Sequence, residues 1–380
     1  MDKRSIWQFE GVRLWALLGI VFLAGCGDKT PIPLGFMGGV SGRVADLGIA
    51  GRNGVLLAVE DANARGGVRG RKVDLLVRDD EQSPDLAKRR FLELADAKVV
   101  ALIGPMTSGM AATVLPLANE RKLLTVSPTA TANDLGGKDD FFFRVISPTR
   151  EYASVSARHQ RELLNMARVA MIFDLRNKAY SESWGKDFHD TFTQLGGTVV
   201  FSQGFQSGDD AGLAGLVELA LRNKPDGVIL VANSVDAALL VQQVRQRAPT
   251  MKVATAEWSA TERFIELAGR ASEGVVTAQF VDRESGNPDF QSFRKRFKDR
   301  FGDEPGFAGV AAYDAAHVVL TALEDGSDTS IRDKILARKK FNGLQGAFEF
   351  DAYGDAARNV YLTEVRDGKF IVIPRDGTKK

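Results

Sequence analysis

Regular alternation between strand-like and helix-like segments is the feature that most constrains this chain. Residues 72–79 alternate in polarity, with Val73, Leu75 and Val77 on one face, as in a half-buried strand. Residues 46–65 instead repeat apolar positions at helical spacing. The continuous apolar run at 99–103 is typical of a strand buried on both faces. This alternation predicts the α/β class, with parallel sheets that are covered by helices on both faces.

The strand–helix pattern repeats too many times for all its strands to fit into one sheet. The chain has 380 residues, about two domains of ordinary size, so we expect two sheets. The last part differs, because two successive helical patterns precede short strands and turn signals. Further strands are predicted at 32–37, 123–126, 169–173, 198–201, 227–231, 252–254, 347–351, 360–364 and 370–373, and helices at 150–165, 289–301 and 307–323.

The first 25 residues have the pattern of a secretory signal peptide. Lys3, Arg4 and Arg13 precede an uncharged segment at 14–25. A helix of this length spans roughly 18 Å, too short for a bilayer core of roughly 30 Å. Cys26 follows directly, and this junction resembles the lipobox of bacterial lipoproteins, in which the cysteine is lipidated and starts the mature chain. Residues 26–31 would then be a tether; an ordinary signal with a chance cysteine is the alternative.

Charge and composition narrow the possible functions. Lys and Arg together number 50 and Asp and Glu 49, so the basic excess of a nucleic-acid-binding protein is missing. The lone cysteine excludes an intrachain disulfide, and the three histidines show no HExxH spacing. The glycine-rich loop at 35–42 lacks the G-x-G-x-x-G order, and neither Ser41 nor Ser108 lies in G-x-S-x-G. We expect no metal, no cofactor, no nucleic acid, no catalytic residue, and membrane contact through the lipid anchor only.

The opening of the mature chain carries a resemblance to a known family. Residues 35–42 and 54–73 are similar to the opening of the type I periplasmic binding proteins. More narrowly, they resemble the branched-chain amino-acid-binding family that serves ABC importers. Shorter matches follow in the same order at 103–108, 127–131 and 311–315. The resemblance therefore covers nearly the whole mature chain.

The resemblance implies two Rossmann-like lobes with parallel central sheets, joined by a three-crossover hinge and closing on a ligand. The crossovers are expected near residues 146, 280 and 345. Lobe 1 would comprise residues 32–146 and 281–345, and lobe 2 residues 147–280 and 346–376.

Open parallel sheets bind ligands beyond the carboxyl ends of their strands, and the matching residues lie on loops at these ends. In the family, the positions of Ser108, Thr129, Ala130 and Thr131 hold the α-carboxylate of an amino acid and part of its ammonium. Helix N-terminal amides suit such an anion. Glu257 falls where the family places an acid that binds the ammonium. The simpler alternatives are a helix cap at Ser108, a polar turn at the threonines and a surface glutamate or interlobe ion pair at Glu257.

Three further positions would complete the ligand pocket. The resemblance implies that Tyr180 contacts the ligand from the second lobe. Leu47 lies where relatives often carry an aromatic residue, and Ser234 where some carry a tyrosine. Trp184 and Trp258 are other candidates for an aromatic wall. These departures leave the preference for the ligand's side chain open.

The leading hypothesis is a lipid-anchored, periplasmic substrate-binding protein that captures a small ligand by hinge closure. An amino acid, branched-chain or related, is the first choice of ligand, with ABC permease and ATPase subunits as partners. One alternative is a lipid-anchored sensor or interaction protein of the same fold. Another is a binder of a non-amino-acid ligand such as an aromatic acid or amide. An enzyme ranks below these, because no nucleophile–base pair is visible.

Overall fold

The structure is a computed structural model that describes residues 30–374, so the predicted signal segment, Cys26 and the last six residues lie outside it. The strands in chain order are β1 (Ile32–Gly38), β2 (Val73–Asp79), β3 (Leu102–Ile103), β4 (Thr125–Ser127), β5 (Phe142–Arg144), β6 (Arg168–Asp174), β7 (Thr198–Phe205), β8 (Gly227–Val231), β9 (Lys252–Thr255), β10 (Val276–Gln279), β11 (Lys340–Gly343), β12 (Gly346–Phe350), β13 (Ala356–Ala357), β14 (Tyr361–Arg366) and β15 (Lys369–Val372).

The helices lie mostly between consecutive strands. In chain order they are α1 (Ala45–Ala64), α2 (Pro84–Asp96), α3 (Ser108–Arg121), α4 (Thr149–Arg158), α5 (Lys178–Gln194), α6 (Asp210–Arg222), α7 (Ser234–Arg247), α8 (Glu262–Ala268), α9 (Pro288–Phe301), α10 (Gly306–Glu324) and α11 (Ile331–Arg338).

Two large sheets organise these elements. The five-stranded sheet has the order β2-β1-β3-β4-β5 and is parallel throughout. The seven-stranded sheet has the order β15-β14-β10-β9-β8-β6-β7. Its strands from β6 to β10 are parallel, and β14 and β15 add an antiparallel edge. The α/β fold with two parallel central sheets, predicted from the alternation, is confirmed.

Three local predictions need correction. The apolar run at 99–103 forms a strand only at Leu102–Ile103. Val99 closes the turn that ends α2, while Val100 and Ala101 make isolated hydrogen bonds to Pro33 and Gly35 of β1. The helix expected to 165 ends as an α-helix at Arg158 and continues as a π-turn, His159–Leu163. Strands β10 and β11 and helix α11 were not predicted.

Helix α10 belongs to the protein core. It is long and apolar enough to span a membrane, yet 72% of its apolar window is buried within the protein. It packs closely on α1 at a pair of glycines: a Cβ on Gly54 would lie 2.3 Å from the carbonyl oxygen of Gly309. Glycine at position 54 therefore permits this close helix contact.

A small third sheet changes the expected position of the last crossover. Strands β11, β12 and β13 pair antiparallel and pack on the five-stranded sheet, with the rings of Phe350 and Phe143 5.8 Å apart. Residue 345 lies in the turn between β11 and β12. The chain enters the seven-stranded sheet only at Tyr361, so the passage between the sheets lies near 358–360 and not near 345. A two-residue turn is a local feature that the family pattern did not reveal.

Arg358 connects the three passages of the chain between the two large sheets. Its Nε donates to the carbonyl oxygen of Val145 at 2.6 Å, and its backbone N–H donates to Ser147 Oγ at 2.8 Å. Its guanidinium lies 5.4 Å from the ring centroid of Phe280 and pairs with Asp314 at 2.8 Å. The Arg358 and Asp314 side chains are only 6% and 1% exposed, so this is a buried ion pair with additional hydrogen bonds.

Candidate functional site

Loops that follow strands of the two large sheets face each other across a narrow cavity. The five-stranded sheet contributes loops after β1, β3, β4 and β5, and the seven-stranded sheet contributes loops after β6 and β9. The cavity volume is about 10 Å³, which is room for about one water molecule. The lining residues are Leu47, Met106, Thr107, Ser108, Thr129, Ile146, Asn177, Tyr180, Glu257, Trp258 and Phe307.

Glu257 is the acidic group of this cavity and contacts both sides. It lies in a short 3₁₀ turn directly after β9 and is 4% exposed. One carboxylate oxygen accepts a hydrogen bond from Trp184 Nε1 at 2.9 Å, and the other from Thr131 Oγ1 at 3.4 Å. Burial raises the pKa of Glu257 to about 7, against the opposing effect of these hydrogen bonds. The group can therefore gain or lose a proton near neutral pH.

The hydroxyls that were predicted to hold a carboxylate already bond to neighbouring backbone. Ser108 Oγ accepts from the backbone N–H groups of Thr131 and Ala132 at 3.2 and 3.1 Å. Thr129 Oγ1 donates to the carbonyl oxygen of Met106. Ser108 and Thr129 thus connect the loop after β3 to the loop after β4 in this closed arrangement.

The first turn of α3 is also paired across the cavity. The Gly109 N–H donates to Asn177 Oδ1 at 2.9 Å, and Asn177 belongs to the loop after β6 of the other sheet. The Ala130 N–H donates to Ser127 Oγ at 3.1 Å and lies in the buried base of its loop. Asn177 is a cavity residue that sequence reasoning missed, because only the meeting of the two sheets brings it to α3.

Arg144 fixes the backbone of the loop after β4. This arginine is 1% exposed, and its Nη1 donates to the carbonyl oxygens of Thr131 and Ala132 at 3.1 and 2.9 Å. Its Nε pairs with Asp355 Oδ1 at 2.6 Å. A fully buried arginine with these acceptors holds the Thr131 hydroxyl in position beneath Glu257.

The predicted site residues divide into three groups. Leu47, Ser108, Thr129, Tyr180 and Glu257 line one cavity, while Ala130 and Thr131 lie directly behind its wall. Ser234 lies elsewhere, since its hydroxyl donates to Asp46 Oδ2 at 2.7 Å. Trp258 packs edge-on against Tyr180 with ring centroids 5.5 Å apart. Trp184 donates a hydrogen bond to Glu257.

A second row of contacts lies beside the cavity. Arg43, after β1, pairs with the buried Asp236 at 2.5 Å and with Asp210 at 2.7 Å, both on the seven-stranded side. Asp46 accepts from Thr261 at 2.7 Å in addition to Ser234. The two sheets are therefore joined by charged and polar side chains as well as by the cavity wall.

Comparison with known proteins defines the class. The chain belongs to the periplasmic binding protein family, which it matches over residues 31–369. Membership confirms the resemblance found in the sequence and implies an extracytoplasmic, ligand-binding role in transport. Within residues 30–374, no group of three or more His, Cys, Asp or Glu side chains could hold a metal ion.

Individual relatives are distant but cover nearly the full length. A leucine-, isoleucine-, valine-, threonine- and alanine-binding protein of Pseudomonas aeruginosa is 24% identical over 90% of this chain and 92% of its own. The structure of a leucine-binding protein from Thermotoga maritima has a TM-score of 0.83 at 26% identity, over 90% of this chain and 97% of its own. A solute-binding protein from Rhodopseudomonas palustris, solved with 3,4-dihydroxybenzoic acid, has a TM-score of 0.81 at 22% identity, over 91% and 96%.

Glu257 should make stability depend on pH. Its folded pKa of about 7 exceeds the ordinary 4.5, so its contribution is fully present below about pH 4.5 and is lost as the pH rises through 7. A shift of this size corresponds to about 3 kcal/mol. Between pH 5 and 8, thermal unfolding should show the wild-type melting temperature falling relative to that of Glu257→Gln.

The exposed Glu266→Gln variant is the matched control, because it removes the same charge from the next helix. Its melting temperature should follow that of the wild type. If the melting temperatures of the wild type and Glu257→Gln changed equally with pH, the raised pKa of Glu257 would be contradicted.

Proposed function

We propose that this protein is the extracytoplasmic substrate-binding component of an ABC importer and that it captures an amino acid by hinge closure. Glu257 is the observation that carries the proposal: a buried carboxylate where loops of both sheets meet. A buried carboxylate is stable when donors or a cation surround it, and the ammonium of an amino acid supplies both.

The carboxylate of the ligand would take the place of contacts within the protein. The Gly109 amide, in the first turn of α3, is bonded to Asn177 of the opposite sheet in the closed arrangement. The positive end of α3 favours an anion at this amide. We assign the α-carboxylate of the ligand to the Gly109 amide, beside Ser108 and Thr129. The ammonium of the ligand would then be directed to Glu257.

Ligand entry requires the two sheets to separate. The cavity of about 10 Å³ is far below the roughly 300–1,000 Å³ of ordinary ligand pockets. We assign lobe 1 to residues 32–145 and 281–357 and lobe 2 to residues 148–280 and 361–374. The three passages between them meet at Arg358, which we propose as the pivot of the motion.

The relatives from Pseudomonas aeruginosa and Thermotoga maritima support an amino acid as ligand, since both are named for amino acids. A second candidate ligand is an aromatic acid. The Tyr180–Trp258 pair in the cavity wall favours it, and the Rhodopseudomonas palustris relative was solved with such an acid. An aromatic acid has no ammonium, so a protonated Glu257 would have to donate to it.

Attachment to the membrane is proposed from the sequence alone. Cys26 would carry acyl chains, each buried CH₂ of which adds about 0.8 kcal/mol of membrane affinity. Replacing Cys26→Ser in the full chain should move the protein from the membrane fraction to the soluble fraction. Equal distribution of both chains would favour an ordinary secretory signal.

Glu257→Gln should weaken amino-acid binding by more than tenfold. Truncating one partner of a buried charged pair costs roughly 2–5 kcal/mol, and the glutamine keeps the shape but loses the charge. The common L-amino acids are first screened by thermal shift, and the affinity of the strongest is then measured by calorimetry. Glu266→Gln should bind as tightly as the wild type.

Two outcomes would contradict the assignment. An unchanged affinity in Glu257→Gln would remove Glu257 from the site. A melting temperature that no amino acid shifts would contradict an amino acid as the ligand. An aromatic acid such as 3,4-dihydroxybenzoic acid would then be tested. A protein that responds to neither would favour the sensor or interaction role.

A further inference from the structure

A second compartment of the cleft lies next to the cavity that contains Glu257. Its volume is about 40 Å³, room for two or three water molecules. Asn177 and Trp258 border both compartments. A ligand held at Glu257 would therefore reach the second compartment, here called the distal compartment, by passing these two side chains.

The distal compartment is formed by the same kind of loops as the main cavity. Asp174 is the last residue of β6, and Ser207 and Asn233 follow the carboxyl ends of the neighbouring strands β7 and β8. The loop that begins at Ser41 after β1, and Gln82 after β2, close it from the five-stranded side. Strand ends of both sheets meet here, as in the ligand cleft of open α/β sheets.

Most polar side chains around this compartment have partners within the protein. Asn233 donates to Ser207 Oγ at 3.2 Å and to Asp236 Oδ2 at 2.6 Å. Arg43 is held by Asp236 and Asp210. These groups form one closed network and leave little capacity for a ligand.

Asp174 is different. Its Oδ1 accepts from the Arg176 N–H at 2.7 Å, but its Oδ2 is buried and makes no hydrogen bond of normal geometry among residues 30–374, although the Ser207 backbone N–H lies near the carboxylate and favours its charged form. The residue is only 1% exposed. A buried acceptor without a donor costs about 1–3 kcal/mol, so the fold gains when a donor arrives.

The charge of Asp174 suits a nitrogen donor. Burial raises the pKa of its carboxyl to about 6, so the group is mainly ionised above pH 7. An ionised carboxylate accepts hydrogen bonds and donates none. The compartment has room for a terminal amide or ammonium group.

We propose that the distal compartment is a subsite of the ligand cleft and that Asp174 accepts a hydrogen bond from an N–H group at the far end of the ligand. This inference rests on the proposed function, since it takes the near end of the ligand to be an amino acid held at Glu257. The preferred ligand is then an amino acid with an amide or ammonium side chain, whereas two relatives are named for leucine and for leucine, isoleucine, valine, threonine and alanine.

Matched pairs of ligands test the subsite in the full soluble chain. L-ornithine and L-norleucine have side chains of equal length that end in an ammonium and a methyl group. L-glutamine and L-glutamate differ by an amide against a carboxylate. Calorimetry at pH 7.5 should give at least tenfold tighter binding of the nitrogen-bearing member of each pair.

Two variants separate hydrogen bonding from net charge. Asp174→Asn keeps Oδ1 and replaces Oδ2 by a donor, so the preference for L-ornithine over L-norleucine should fall at least tenfold while L-norleucine affinity changes less than threefold. Asp85→Asn makes the same change at an exposed residue of α2 that does not line the compartment, and it should preserve the preference.

The results of these measurements distinguish a failure of the subsite proposal from a failure of the proposed function. Equal binding of L-ornithine and L-norleucine, or an unchanged preference in Asp174→Asn, would overturn the subsite and leave amino-acid binding intact. An equal loss in Asp85→Asn would attribute the preference to net charge and overturn the role of Asp174. Absence of binding by all four ligands and by L-leucine would overturn the proposed function itself.

Discussion

A carboxylate buried between two sheets has to be compensated from both of them. Glu257 follows β9 of one sheet, and it depends on the Thr131 hydroxyl of the other and on the indole of Trp184. Because water is excluded, these donors are not sufficient to keep the pKa at its ordinary value, and it rises to about 7. In the function proposed above, a cationic group of the ligand would pair with this carboxylate, and the loops around it would bring the two into contact.

The sheet geometry and two buried arginines hold the loops around Glu257 in place. Parallel strands place all their carboxyl-end loops on one edge, so two sheets that face each other by these edges form a cleft. Arg144 fixes the loop that carries Thr131, and Arg358 holds together the three chain passages around which the sheets would move. Both arginines are almost fully buried, and each pairs with an aspartate and with backbone carbonyl oxygens.

The sequence predicted the strands and helices better than the contacts between the two lobes. Alternating polarity and apolar runs are local, so most strands and the two-sheet fold followed from them. The resemblance supplied Glu257, which the structure locates in a buried cavity. The interlobe contacts join residues 68 to 215 positions apart, and no periodicity records them. The contact of Asn177 with Gly109 was missed, and Ser234, expected at the ligand, bonds to Asp46. The last crossover was expected near residue 345 for a different reason: the family pattern did not reveal the local turn between β11 and β12 that lies there.

Proton exchange on ligand binding tests the central claim most directly. Calorimetry at pH 6 in two buffers of different ionisation enthalpy gives the number of protons exchanged. The ligand is L-leucine or L-norleucine, whichever binds more tightly, because neither side chain carries an N–H group for Asp174. If the ligand's ammonium pairs with Glu257, a carboxyl with a pKa of about 7 must ionise on binding, and close to one proton is released. The release should disappear in Glu257→Gln. No release at pH 6, or proton uptake, would contradict a charge pair at Glu257.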